Sequence, residues 1–364
     1  MNKHPFLIIA FAGVLLCALS RIPTAQACQI CVPYPEETLA DRLLENDEII
    51  FAREVADSPY FFYQVEVLKG PGVSRSLKMF CDSATRRKLR AIPDSVVVLA
   101  RKKDERWYLI AHADTGFQPF IRTIVSRGEG WSGLSDNRDR LRFFSRFLHS
   151  DDERIHRQAY IEVGRAPYAM IKDLAAEISR EQIYDLLRNY RLIEWQNLYI
   201  LMLGQSRETD DLDFIRDKVQ SAARFGSTQN LAAWVTAFIE SHPDSGVEDI
   251  ERLYFMSKTR SDDEIVQVLT SMSILGSQTR EAPLDQRIFK LRLKIVRSYA
   301  TLLENYPEMA GYVAKDLAAW QIRAHTDIIA SIRERRELAN PSSIYAVDYY
   351  LSAAPGFREA RIGK

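Results

Sequence analysis

Val96-Val97-Val98-Leu99-Ala100, then the charged connection Arg101–Arg106, then Trp107-Tyr108-Leu109-Ile110-Ala111: this stretch sets the reading of the first third of the chain. A run of five apolar, mostly β-branched residues predicts a strand buried on both faces, and the polar link and second apolar run predict its return as a hairpin. Working back toward the N-terminus, Tyr60–Leu68 is rich in aromatic and β-branched residues and is stopped by Lys69-Gly70-Pro71-Gly72. Leu77–Phe80 alternates, and Glu48–Ala52 is a short apolar run. Leu39–Leu44 reads as a short helix before the first strand. About five short strands in fewer than ~100 residues point to a small barrel or sandwich.

Working forward, Gly128, Gly130 and Gly133 with Ser132 and Ser135 mark a boundary, and from Asp136 the periodicity changes. Leu141, Phe144, Phe147 and Leu148 fall at helical spacing, as do Ile183, Leu186, Leu187 and Tyr190. Helical runs continue to about Leu338, with Asp151, Ser179, Thr209, Ser227 and Ser261 placed like N-caps. Leu231-Ala232-Ala233-Trp234 recurs about 86 residues later as Leu317-Ala318-Ala319-Trp320, twice a unit of roughly 43 residues, which is the length of a HEAT-type helix pair. The expected architecture is therefore multidomain α+β. A small β-barrel or sandwich over 28–130 precedes an all-α, HEAT-like solenoid over 136–340 and a C-terminal tail over 341–364. Because repeat arrays depend on neighbour contacts, the helical part is expected to fold without the barrel.

Of the 364 residues, 46% are hydrophobic and 27% charged, a globular composition. The 49 basic and 49 acidic residues cancel, so nothing in the net charge attracts the chain to nucleic acid. Residues 1–27 read as a signal peptide. Lys3 and His4 precede the apolar run Phe6–Leu19, and Ala25-Gln26-Ala27 offers small residues for cleavage. The run is shorter than the roughly 17–25 residues a membrane span requires. Export to the periplasm, cell envelope or extracellular space is the expectation, with Cys28 as the first mature residue.

Cys28, Cys31 and Cys81 remain after such cleavage, an odd number that permits one internal bridge. A bridge from Cys28 or Cys31 to Cys81 would close a loop of about 50 residues and stabilise the head by about 4 kcal/mol. Cys28-Gln29-Ile30-Cys31 is also a CxxC, compatible with thiol–disulfide chemistry, although Pro33 and Pro35 follow it where a redox motif would begin a helix. No second CxxC is present to complete a zinc site.

Several of these segments carry a resemblance. Ala27-Cys28, Cys31-Val32-Pro33-Tyr34-Pro35, Asp47–Arg53, Val65–Gly70 and Cys81 together resemble the netrin-like module, and more narrowly the N-terminal domain of the tissue inhibitors of metalloproteinases. The resemblance covers about residues 28–125. It implies an OB-like barrel and a mature N-terminal cysteine tied by a disulfide to that barrel. It also implies an inhibitory edge whose first residue chelates a target enzyme's zinc, which places Cys28, Val32 and Pro33 among the partner-binding candidates. The chain departs from the family in having CxxC rather than CxC and in lacking the further cysteines.

Ala27 before Cys28 also suits lipid attachment, which would anchor the protein to a membrane, but Ala25 and the spacer Arg21–Gln26 are unlike a lipoprotein signal. Arg86, Arg87, Lys88 and Arg90 form a basic cluster, read as a solvated loop or as a contact for an acidic partner. His149, Glu153 and His156 could share a helical face, but Ser150-Asp151 is expected to break the helix there and leave two ordinary surface histidines. No nucleophile elbow, phosphate loop, dinucleotide fingerprint or His-Glu-x-x-His is present, and no cofactor or metal is expected. The expected function is non-catalytic protein binding or scaffolding. The alternatives are a thiol-disulfide redox protein using Cys28 and Cys31 and a metalloprotease inhibitor acting through a free Cys28.

Overall fold

The computed structural model describes residues 28, 30, 31, 37–55, 58, 60–73, 77–131, 137–278 and 286–360. The expected signal segment, Val32, Pro33, Gly133 and the proposed boundary residues around it lie outside them. The fold is mixed α+β, a curled antiparallel sheet followed by an array of helices.

The sheet comprises β1 (Glu48–Glu54), β2 (Phe61–Lys69), β3 (Leu77–Phe80), β4 (Val96–Arg101) and β5 (Tyr108–Ala113), in the order β3-β2-β1-β4-β5. β1 and β4 lie at its centre and pair with each other, which is why both read as unbroken apolar runs. Ile49, Phe51, Val96, Val98 and Ala100 join the main core, while Ile50, Ala52, Val97 and Leu99 form a smaller core with Phe62, Leu77, Cys81 and Leu89. Bulges in the β1–β2 and β4–β5 ladders bend the strands and curl the sheet into half a barrel. Gly70 turns the chain out of β2 at φ 78°, and a Cβ there would lie 2.8 Å from the Asp47 carbonyl. The helix α1 (Leu39–Leu44) is capped by Thr38, and α2 (Ser83–Ala91) by Asp82. A third helix, α3 (Gln118–Arg127), sends Phe120, Ile121 and Ile124 into the main core.

Helices then follow almost without interruption. They are α4 (Arg138–Ser145), α5 (Glu153–Gly164), α6 (Tyr168–Ala175), α7 (Arg180–Arg188), α8 (Gln196–Leu203), α9 (Thr209–Phe225), α10 (Leu231–Ser241), α11 (Gly246–Ile250, prolonged by a π turn to Phe255), α12 (Asp262–Ser277), α13 (Gln286–Asn305), α14 (Ala310–Trp320), α15 (Thr326–Glu334) and α16 (Pro341–Ala353). α8, α10, α12, α14 and α16 each pack on the next to form an inner row, with α9, α11, α13 and α15 outside it. The sequence accounts for the division. α8 and α10 are apolar nearly all round and are buried along their whole length, whereas α9 and α13 have one apolar stripe and a charged outer face.

Three expectations are corrected. Residues 341–364 do not begin as a tail, because α16 packs against α14 and buries Val347 and Tyr350. The two Leu-Ala-Ala-Trp fragments are not equivalent. Leu231 opens α10, whereas Trp320 closes α14, so the match does not mark a repeat unit. The starts of the inner helices are unevenly spaced for the same reason. Finally, the head and the helices share a core, and only the smaller cluster around Cys81 belongs to the head alone. One apolar cluster runs from Cys28 through Phe51, Phe120 and Phe144 to Ala354. A fragment beginning at residue 137 would expose Phe143 and Phe144 where α3 had covered them. It is expected to aggregate or to melt without cooperativity in a circular-dichroism scan, and a sharp melt matching the whole chain would restore an independent helical domain.

A buried charge cluster reinforces this junction. Arg140 on α4 and Glu162 on α5 are each 1% exposed. The Arg140 guanidinium donates to both Glu162 oxygens at 2.9 and 2.7 Å and to Asp41 of α1 at 2.7 Å. Arg165 donates to the other side of Asp41, and Thr38 donates to Glu162. Burial alone would raise the Asp41 carboxyl, but the hydrogen bonds from Arg165 and Arg140 outweigh it and hold the group well below the usual carboxylate range.

Candidate functional site

Two places in the fold gather the residues that sequence and geometry single out. The first is the N-terminal turn. Cys28 and Cys31 are 1% and 5% exposed and lie against the helices rather than the barrel. The Cys28 backbone N–H donates to the Ala166 carbonyl at 3.2 Å, Tyr160 Oη donates to the Cys31 carbonyl at 3.1 Å, and Asn197 Nδ2 donates to the Ile30 carbonyl at 2.9 Å. The turn is therefore held by α5, α8 and the loop after α5. The two sulfurs are 3.6 Å apart, with the Cys31 thiol hydrogen-bonded to Cys28. That hydrogen bond, against the opposing effect of burial, lowers the Cys28 thiol, while burial pushes Cys31 well up.

Cys81 is elsewhere. It follows β3 in the smaller core, with Phe62 and Leu89, on the other face of the sheet. Its thiol is pushed up to about 11, first by burial and then by Glu54 and Asp82. The three described cysteines are not bonded to one another in this structure. The arrangement thus brings Cys28 and Cys31 together and leaves Cys81 apart, so the long loop-closing bridge to Cys81 is not the pairing this geometry offers. Cys28, Ile30 and Cys31 are bonded to the helical body, away from the smaller core that holds Cys81.

The second place is the outer end of β2 and β3. The alternation in β2 suggests that Phe61, Tyr63, Val65 and Val67 face inward and Gln64 and Glu66 outward. The observed burial is the reverse. All four apolar residues are exposed, and Gln64 and Glu66 are half-buried. Local partners explain the inversion. Arg122 of α3 forms a bidentate pair with Glu66 at 2.7–3.1 Å, and Gln64 accepts the Val73 N–H at 2.6 Å. The polar residues are satisfied against the protein, and the apolar ones are left to solvent.

Phe61 and Phe80 lie opposite each other in the ladder, 46% and 66% exposed, and Tyr63 shares their face. Tyr60 stacks on Phe80 with ring centroids 5.6 Å apart and planes 8° from parallel. Its backbone is at φ 82°, a conformation costing a bulky residue roughly 1–2 kcal/mol. The Cys81 N–H holds it there by donating to the Tyr60 carbonyl at 2.6 Å. Arg86 then lies 4.8 Å from the Tyr60 ring centroid.

The basic cluster is the helix α2, not a loop. Arg86 and Arg90, one turn apart, both pair with Glu54 of β1, while Arg87 and Lys88 are exposed. Sequence reasoning found the arginines but missed the aromatic patch. The detectable signal was Phe61-Phe62-Tyr63, because three aromatics in succession on a strand must fall on both of its faces.

The helix does break at Ser150-Asp151, and α5 starts at Glu153 with Asp152 as its cap. His156 is nevertheless buried rather than superficial, edge-on to Trp195 and with Nε2 3.1 Å from Tyr199 Oη. Among the described residues no cluster of three or more His, Cys, Asp or Glu could hold a metal ion, and no helix is long and apolar enough to cross a membrane. The chain matches no family model, and comparison with curated proteins and with solved structures returns no similar protein.

Proposed function

We propose that this is an exported, non-catalytic binding protein that presents the β2–β3 aromatic patch on a rigid helical frame. The observation that carries the reading is the inverted burial of β2. Four aromatic rings, one of them held in strained backbone and covered by an arginine, are kept at the surface while polar neighbours are tucked in. Large exposed apolar patches mark interaction sites, and aromatic and arginine side chains dominate the energetics of such contacts. Arg86 over the Tyr60 ring and the exposed Arg87 next to it in α2 favour a protein partner offering an apolar side chain beside carboxylates.

The fold supports two finer readings. Three consecutive strands with a fourth returning beside the first make the Greek-key order, which favours an OB-like and netrin-like head. The inner row of stacked helices favours a degenerate HEAT-like solenoid. The burial of Cys28 speaks against the inhibitor reading, because a zinc-chelating terminus must project from the surface.

A photo-reactive phenylalanine analogue at Tyr63, in the full-length chain in its native cell, is the test. A discrete crosslinked protein is expected at Tyr63, lost when Phe61→Ala and Phe80→Ala are added, and absent when the analogue replaces the exposed Tyr345 on α16. No crosslink at Tyr63, or one indifferent to the two substitutions, would overturn the proposal.

A further inference from the structure

We propose that Cys28 and Cys31 form a disulfide that is made while the N-terminal turn is undocked and is then sealed from reductants by docking against α5 and α8. The observations are independent of the aromatic patch. Two thiols three residues apart face each other at 3.6 Å in a turn closed by the Cys31 N–H donating to the Cys28 carbonyl at 3.2 Å. Small movements would join them. The Ala166 carbonyl, Tyr160 hydroxyl and Asn197 amide grip the backbone on both sides of the pair. Both residues are almost wholly buried, so an exchange partner cannot reach either sulfur in the docked state. Chemistry at this pair therefore requires the turn to leave its seat, and local opening of this kind costs part of the global stability.

The reaction is a thiol–disulfide exchange with a partner of the disulfide class. The Cys28 thiolate attacks one sulfur of the partner's disulfide, that S–S bond breaks, and a mixed disulfide forms. Cys31 then loses its proton and attacks the Cys28 sulfur, forming the Cys28–Cys31 bond and releasing the partner's second thiolate. Cys28 and Cys31 give up two electrons and two protons, and the partner takes up both as a dithiol. Once redocked, the disulfide is buried again against α5 and α8. Cys81, with its raised thiol in a separate core, takes no part.

The test uses the purified full-length chain equilibrated with mixed oxidised and reduced glutathione, alkylated, unfolded and mapped without reduction. The expected product is a Cys28–Cys31 peptide lighter by two hydrogens, with Cys81 alkylated only after unfolding. Reduction by dithiothreitol should be slower in the folded protein than in urea by more than about tenfold. Tyr160→Phe keeps the ring stacked on Trp195 but loses the hydrogen bond to Cys31, so it should speed reduction in the folded state and leave the rate in urea unchanged. Cys28 and Cys31 both alkylated, Cys81 bonded to Cys28 or Cys31, or equal reduction rates in folded and unfolded protein would each overturn the proposal.

Discussion

Arg140→Leu is expected to destabilise the protein by about 3 kcal/mol, because it leaves the buried Glu162 carboxylate with only the Thr38 hydroxyl and a longer contact to Arg165 at 3.3 Å. Glu162 is 1% exposed and accepts both arms of Arg140, and no solvent can replace them. Asp41 would keep both arms of Arg165, whereas Glu162 would lose its two short bonds to Arg140 and keep Arg165 only at 3.3 Å, so the loss is larger at Glu162. The double variant Arg140→Leu with Glu162→Gln should recover a large part of the loss, because the two residues are coupled and the stranded charge is gone. Urea unfolding followed by far-ultraviolet circular dichroism measures both. A loss below about 1 kcal/mol for Arg140→Leu would mean that water reaches the cluster in solution, as it does for an ordinary surface pair. The same substitution should make residues 37–44 more sensitive to protease, since Asp41 and Thr38 tie that segment to α4 and α5.

The second large effect is a pH dependence centred on Asp316. This carboxyl is buried among α12, α13 and α14, and burial raises it to about 6, partly offset by donors from Ser273 and Tyr299 at 2.6 Å each. An unfolded carboxyl titrates near 3.9. Between those values the folded protein holds a proton that the unfolded chain has lost. The stabilisation from the neutral carboxyl is therefore complete below about pH 4 and falls away as the pH rises through about 6. At neutral pH the buried carboxylate costs about 3 kcal/mol relative to its protonated form. Asp316→Asn should leave stability at pH 4.5 near that of the wild type, raise it by up to about 3 kcal/mol at pH 7, and flatten the profile between them. A variant that tracks the wild-type profile would show that Asp316 does not titrate in this window. Asp41 works in the opposite sense. Its lowered carboxyl contributes above its unfolded value near 3.9 and loses that contribution as the pH falls below it, so stability should decline on both sides of a maximum in mildly acidic solution.

The parts of the molecule that local pattern dictates were legible from the residues alone. β1 and β4 announce themselves because a strand buried on both faces must be apolar at every position, and Gly70 and Gly72 end β2 because the turn needs positive φ. The capping boxes at Ser179 and Ser261 mark α7 and α12 through a side chain that only a helix start can use. The cap before α5 is Asp152 rather than Asp151, and no helix starts at Ser227, where Asn230 leads into α10 instead. Those are choices among neighbouring polar residues that packing makes.

What the sequence could not reveal are facts about which surfaces meet. Cys28, Cys31 and Cys81 are symmetric candidates on paper, and the docking of the N-terminal turn on α5 and α8 breaks the symmetry. The Leu-Ala-Ala-Trp match looked periodic because four residues carry no information about where in a helix they sit. Alternation in β2 defines two faces without saying which one is covered. Arg122, about 56 residues away in the chain, captures Glu66, and that long-range pairing decides that the aromatic residues face out. Periodicity and capping depend on residues within a turn or two, and so they can be read along the chain. Cysteine pairing, shared cores and the side of a sheet left bare depend on residues brought together from distant positions, and only the folded structure supplies those.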